Sequence, residues 1–137
     1  MIRISPDAGS VKTGEYRDVP LHRQVVAQGF AEFVKAAKPG PLFHGGNTQE
    51  RYLASARVTA GRVSQWLQEP ELVPDGIQPS HGWRHRFKTQ ARELGLSDTI
   101  TGAIQGHAGK TASDDYGDVS LIAKVRVIDS LPDYDLS

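Results

Sequence analysis

Apolar positions recur along the chain with two different periods. The first twenty residues alternate in short β-prone pieces, "MIRIS" and "VKTGEYRDVPL", separated by Pro, Asp and Gly. This pattern predicts a small antiparallel hairpin or meander with Lys12 at its turn. From 21 to about 38 the period lengthens. Val26, Phe30, Phe33, Val34 and Ala37 fall at spacings of three and four until "KPGP" stops the run. A second helix is predicted over 48–68, with Leu53, Ala56, Ala60, Val63 and Leu67 as its stripe, followed by an irregular link, "EPELVPDGIQP". A third begins after Ser80 as N-cap and ends at Gly95, and its apolar positions Trp83, Phe87, Ala91 and Leu94 define a buried face. Ser97 or Asp98 caps a short fourth helix through Ile100, Ala103 and Ile104. After the Gly-rich "GHAGKTAS", a last helix over 119–131 carries Leu121, Ile122, Val125 and Ile128. The expected class is therefore α+β and mainly α: a small N-terminal antiparallel sheet followed by about five helices in a single domain over 1–137.

Composition narrows the chemistry. The 137 residues contain no cysteine, which removes disulfides, thiolate metal sites and cysteine nucleophiles and suits a reducing cytoplasm. No apolar run has the length of a membrane span, so neither membrane nor leader is expected. Net charge is zero, yet its distribution is uneven. Over 80–92 the formal charge is +4, from Arg84, Arg86, Lys88 and Arg92, whereas "DDYGD" at 114–118 carries −3.

That basic segment, "HGWRHRFKTQAR", places His81 and Arg84 three residues apart and hence on one helical face, near the end where free N–H groups favour an anion. A solvated basic face is the plain alternative. His107, preceded by Gly106, lies 26 residues after His81, and Tyr116 lies nine residues further on. The chance of Arg, His and Tyr meeting these offsets by accident is on the order of 10⁻⁴.

The pattern H-x-x-R, then G-H, then Y, resembles the C-terminal part of the catalytic domain of the tyrosine recombinases (phage integrases). "VKTGEYRDVPLH" is similar to that family's lysine-bearing hairpin, and the likeness runs from about Ile2 to Leu131. The resemblance implies the DNA breaking-rejoining enzyme fold and site-specific recombination or integration through a 3′-phosphotyrosyl intermediate. It needs no metal or nucleotide cofactor, and its partners are double-stranded DNA and further protomers in a synaptic complex. It assigns Tyr116 as nucleophile, Arg84 as the second of two phosphate-clamping arginines, His107 as a donor to the scissile phosphate, His81 as a proton-handling residue and Lys12 as the catalytic lysine. Lys110 is the substitute for Lys12. Arg86, Lys88 and Arg92 are candidates for flanking DNA-backbone contacts. The family's first arginine belongs upstream of the hairpin, as does its N-terminal DNA-clamping domain. The 137 residues are then either a piece of a longer recombinase or a degenerate relative, inactive or very weak alone.

Two other readings compete. A non-catalytic DNA-binding or partner-docking module would keep every one of these residues except the role of Tyr116. A metal site built from His81, His85 and His107 is the third, although Gly82 stands where metal-dependent hydrolases carry an acid and Arg84 would set a cation beside the metal.

Overall fold

The computed structural model describes residues 1–6, 16–38, 40, 42–45, 48–69, 76–107 and 118–136, with positions 49, 53, 79 and 80 given by backbone alone. Two short strands, β1 (Ile2–Ile4) and β2 (Arg17–Val19), pair antiparallel with Ile2 opposite Val19, Arg3 opposite Asp18 and Ile4 opposite Arg17. Among the described residues six helices follow: α1 (Arg23–Ala27), α2 (Phe30–Ala36), α3 (Gln49–Leu67), α4 (Pro79–Glu93), α5 (Asp98–Gln105) and α6 (Leu121–Asp129). The class is as the patterning predicts, mainly helical with a small antiparallel sheet. Among the described residues, no helix is long and apolar enough to cross a membrane.

The chain forms two compact units, one of residues 1–28 with 86–137 and one of 29–85. The first unit holds the core. Ile104 of α5 meets Val127 and Ile128 of α6, and Val19, Phe87, Leu96, Ile100 and Leu131 close around them. Its polar edges are tied locally. Arg3 grips Asp18 across the sheet through two 2.8 Å hydrogen bonds, Nε to Oδ1 and Nη2 to Oδ2, and also stacks over the Tyr16 ring at 4.6 Å. The polar C-terminal segment is strapped to α1. Arg23 donates to the Asp129 carbonyl and pairs with Asp133, while Gln24 exchanges two hydrogen bonds with the backbone of Tyr134. His22 caps α1 by accepting the Gln24 N–H at Nδ1, which leaves Nε2 to carry the proton and donate to the Leu131 carbonyl at 3.2 Å. In the second unit none of the described residues is fully buried. Phe33 stacks on Phe43, and His44 tilts against Tyr52 with ring centroids 4.4 Å apart.

Several expectations from periodicity need correction. The single helix expected from 21 to 38 is two, because Gly29 takes a left-handed conformation (φ 81°) that breaks the hydrogen-bond ladder between α1 and α2; the described residues thus hold six helices where about five are expected. On α3 the shielded face runs through Tyr52, Ser55, Ala56 and Thr59, whereas Ala60 and Val63 are exposed. On α6 the burial falls on Val127 and Ile128, and Leu121, Ile122 and Val125 remain exposed, since only the C-terminal turn of that helix reaches the α5 core. Trp83 of α4 and Leu94 just after it are likewise exposed, at 58% and 47%, and of the expected apolar face only Phe87 and Ala91 are drawn inward.

Candidate functional site

Helix α4 starts two residues earlier than the cap pattern suggests. Pro79 occupies its first position, where a missing N–H costs nothing, and the Gly82 N–H already bonds the Gln78 carbonyl at 2.8 Å, so Ser80 lies inside the helix. His81 therefore stands in the first turn, but Arg84 is in the second, beyond most of the helix-end field. An anion at Arg84 would meet the guanidinium rather than the helix end. The geometry keeps His81 and Arg84 on one face, both exposed, as their spacing of three requires. Gly82, between them, lies against Ile77: a Cβ there would come within 2.9 Å of the isoleucine Cγ2.

The flanking basic residues of α4 have their own engagements. The Arg86 guanidinium lies 5.9 Å from the centre of the Tyr134 ring, and Arg92 reaches Asp98 at the start of α5 at 4.0 Å. Lys88 is half-buried. Such exposed pairs are weak and leave the side chains able to turn toward a phosphate.

His107 is placed by the end of α5. Ser97 caps the start of that helix, its Oγ accepting the Ile100 N–H, and Thr101 and Gln105, polar residues that apolar periodicity passes over, are buried on its inner side. At the other end Gly106 turns left-handed (φ 69°, ψ 40°). The His107 N–H bonds the Gly102 carbonyl at 3.0 Å and the Gly106 N–H bonds that of Ala103 at 3.3 Å, the paired closure of a Schellman turn. This turn ends the helix and sends His107 out to an exposed position. The G-H pair is thus explained locally: the glycine makes the turn that presents the histidine.

A residue that sequence reasoning did not single out adjoins this turn. The Arg17 guanidinium lies over Gly106, with Cζ 2.6 Å and Nε 3.0 Å from where a Cβ of residue 106 would sit. One arginine in a strand reads as solvated, and only the packing of β2 on α5 reveals its neighbour.

His81 and Arg84 belong to the 29–85 unit and His107 to the other. Tyr116, Lys12 and Lys110 lie outside the described residues. Arg3 is committed to Asp18 and Tyr16 within the sheet, so it is not a spare arginine for the site. For the three-histidine alternative, the described residues contain no group of three or more His, Cys, Asp or Glu side chains placed to hold a metal ion. No known protein family, no curated protein and no solved structure matches the chain.

Proposed function

We propose that the chain supplies the C-terminal part of a DNA strand-cleaving and rejoining site of the tyrosine recombinase kind. The observation that carries the reading is the spacing of His81, Arg84, His107 and Tyr116, joined to local structure that suits it: His81 and Arg84 share one exposed helical face, and a glycine turn delivers His107. In this reading the Tyr116 phenol oxygen attacks a DNA phosphorus and the bond from phosphorus to the 5′-oxygen breaks. A 3′-phosphotyrosyl link and a free 5′-hydroxyl remain, and attack by a 5′-hydroxyl reverses the step. The phosphodiester energy is conserved, so no nucleotide is consumed.

A tyrosine of pKa near 10 is ionised about one part in a thousand at pH 7, so forming the phenolate costs about 4 kcal/mol unless a base and nearby cations offset it. Arg84 donates two parallel hydrogen bonds to the non-bridging oxygens as charge builds there, a geometry that lysine does not reproduce. His107 donates a third. His81 handles the phenol proton, and Lys12 protonates the departing 5′-oxygen. Removing one preorganised donor costs on the order of 10²–10³-fold in rate, and the family's first arginine is not among these residues. The 137-residue chain by itself is therefore a very slow enzyme.

The test is adduct trapping on a nicked suicide duplex over long incubation. A trace of covalent complex is expected, abolished by Tyr116→Phe with DNA affinity nearly unchanged and reduced at least 10²-fold by Arg84→Ala. An adduct that survives Tyr116→Phe removes the assigned nucleophile. DNA affinity with no adduct at all favours the non-catalytic module.

A further inference from the structure

Helix α3 carries a line of exposed residues that its own packing does not use. Its packed face meets the 40–45 segment, where the Ser55 Oγ accepts the Gly45 N–H at 2.7 Å and the Tyr52 ring lies against His44. At about 100° per residue, Arg51, Val58 and Arg62 fall within about 40° of one another along a different line. Gln65 and Trp66 flank its far end. All five are exposed, Val58 and Trp66 at 56% each. The line carries no acid, since Glu50, the carboxylate of this helix, stands about 100° round from Arg51. Among the described residues no ion pair or ring contact engages Arg51, Arg57 or Arg62. Solvated helix faces mix both signs of charge, whereas exposed Trp and Arg together are enriched where a surface recognises a partner.

Every polar group on this line can donate, and apart from the Gln65 amide none can accept. Phosphate oxygens are the complement, being anionic and acceptors only. Eleven residues of helix set Arg51 and Arg62 about 16 Å apart along the axis. That separation fits a helix lying across a DNA major groove, about 12 Å wide, with one arginine over each wall. We propose that α3 lies across the major groove of duplex DNA, Arg51 and Arg62 each gripping a phosphate of one strand while the Trp66 ring packs on an adjoining sugar. The choice of DNA rests on the recombinase-like reading above, and the surface extends the grip on the duplex beyond the phosphate at Arg84. Val58, between the arginines, has no hydrogen-bonding group with which to read base edges, so the contacts add affinity rather than sequence choice.

Duplex affinity is measured against salt for the unaltered chain and for Arg51→Gln, Arg62→Gln and Arg57→Gln, with far-UV circular dichroism confirming that each folds. Arg57→Gln is the control, because it removes the same charge from the same helix about 120° round from Arg51. Loss of one phosphate contact lowers the slope of log K against log salt by about 0.9, which is about fivefold in affinity at about 0.15 M salt. Arg51→Gln and Arg62→Gln should each show that loss, equally on unrelated duplex sequences, while Arg57→Gln stays near the wild-type slope. Three equal losses mean a diffuse positive field with no docked face, and no loss at Arg51 and Arg62 means a solvated helix; either result overturns the proposal. Equally tight binding of polyglutamate, lost in Arg51→Gln, gives the face to an acidic protein and overturns the assignment to DNA. A second measurement leaves the arginines intact: in a Trp83→Phe chain Trp66 is the remaining tryptophan, and duplex should quench its emission saturably. Emission unchanged by duplex overturns the docking of this face. Slope losses at Arg51 and Arg62 without any covalent adduct leave the surface standing while the cleavage reading fails. A Tyr116-dependent adduct with wild-type slopes at both arginines does the reverse.

Discussion

Replacing Gly106 by Ala places a Cβ in the left-handed region at φ 69°, which costs about 1 kcal/mol relative to glycine. The new Cβ also arrives 2.6 Å from the Arg17 Cζ, but that guanidinium is the far end of a flexible side chain and turns aside at little cost. Gly106→Ala is thus expected to destabilise the fold by about 1 kcal/mol, in the wild-type chain and in an Arg17→Ala background alike. Urea unfolding followed by far-UV circular dichroism on the four proteins of this cycle measures both costs, provided the slopes agree. A cost that is larger in the wild-type chain by about 1 kcal/mol refutes the reasoning that Arg17 gives way freely. Negligible cost in both refutes the left-handed turn and, with it, the account of how His107 is presented.

The remaining predictions concern charge and core. Arg3 hydrogen-bonds and attracts the Asp18 carboxylate and holds it below its ordinary range, so the stabilisation is present above about pH 4, where an unfolded-state aspartate is ionised, and is lost as pH falls through the lower folded value. Asp18→Asn should therefore flatten the acid limb of a stability–pH profile, weakly and less so in high salt, and an unchanged limb would remove the pair from the account. Ile128→Ala, in the α5–α6 core, should cost about 2–4 kcal/mol, whereas Ile122→Ala on the exposed face of α6 should stay within about 0.5 kcal/mol. Equal losses in denaturant melts would mean that α6 buries its N-terminal turn.

Local signals were readable wherever backbone chemistry decides the outcome. Ser97 caps α5, Gly95 and Gly106 close α4 and α5 in positive φ, and "MIRIS" pairs with "YRDVP" as a hairpin. His81 and Arg84 share a face because a helix repeats every 3.6 residues, whatever it packs against. Periodicity failed in a consistent way. It names a stripe but not the length of stripe that finds a partner, so Leu121, Ile122, Val125 and Val63 were expected inside and lie exposed. Gly29 likewise split one apolar run into two helices, a break invisible to a count of spacings.

The linear order of residues by itself determined the positions of α3, α5 and α6 and the glycine stops after α4 and α5, the zero net charge with its basic segment on α4, and the spacing of His81, Arg84, His107 and Tyr116. These depend on interactions within a few positions of each residue, or on spacing alone. Only the tertiary structure decided that Val127, Ile128, Ile104 and the polar Thr101 and Gln105 make the inside, that the C-terminal strap binds α1, and that Arg17 lies on Gly106. Those contacts join residues from about twenty to more than a hundred positions apart. Burial there is set by which surfaces meet, a property no local pattern contains.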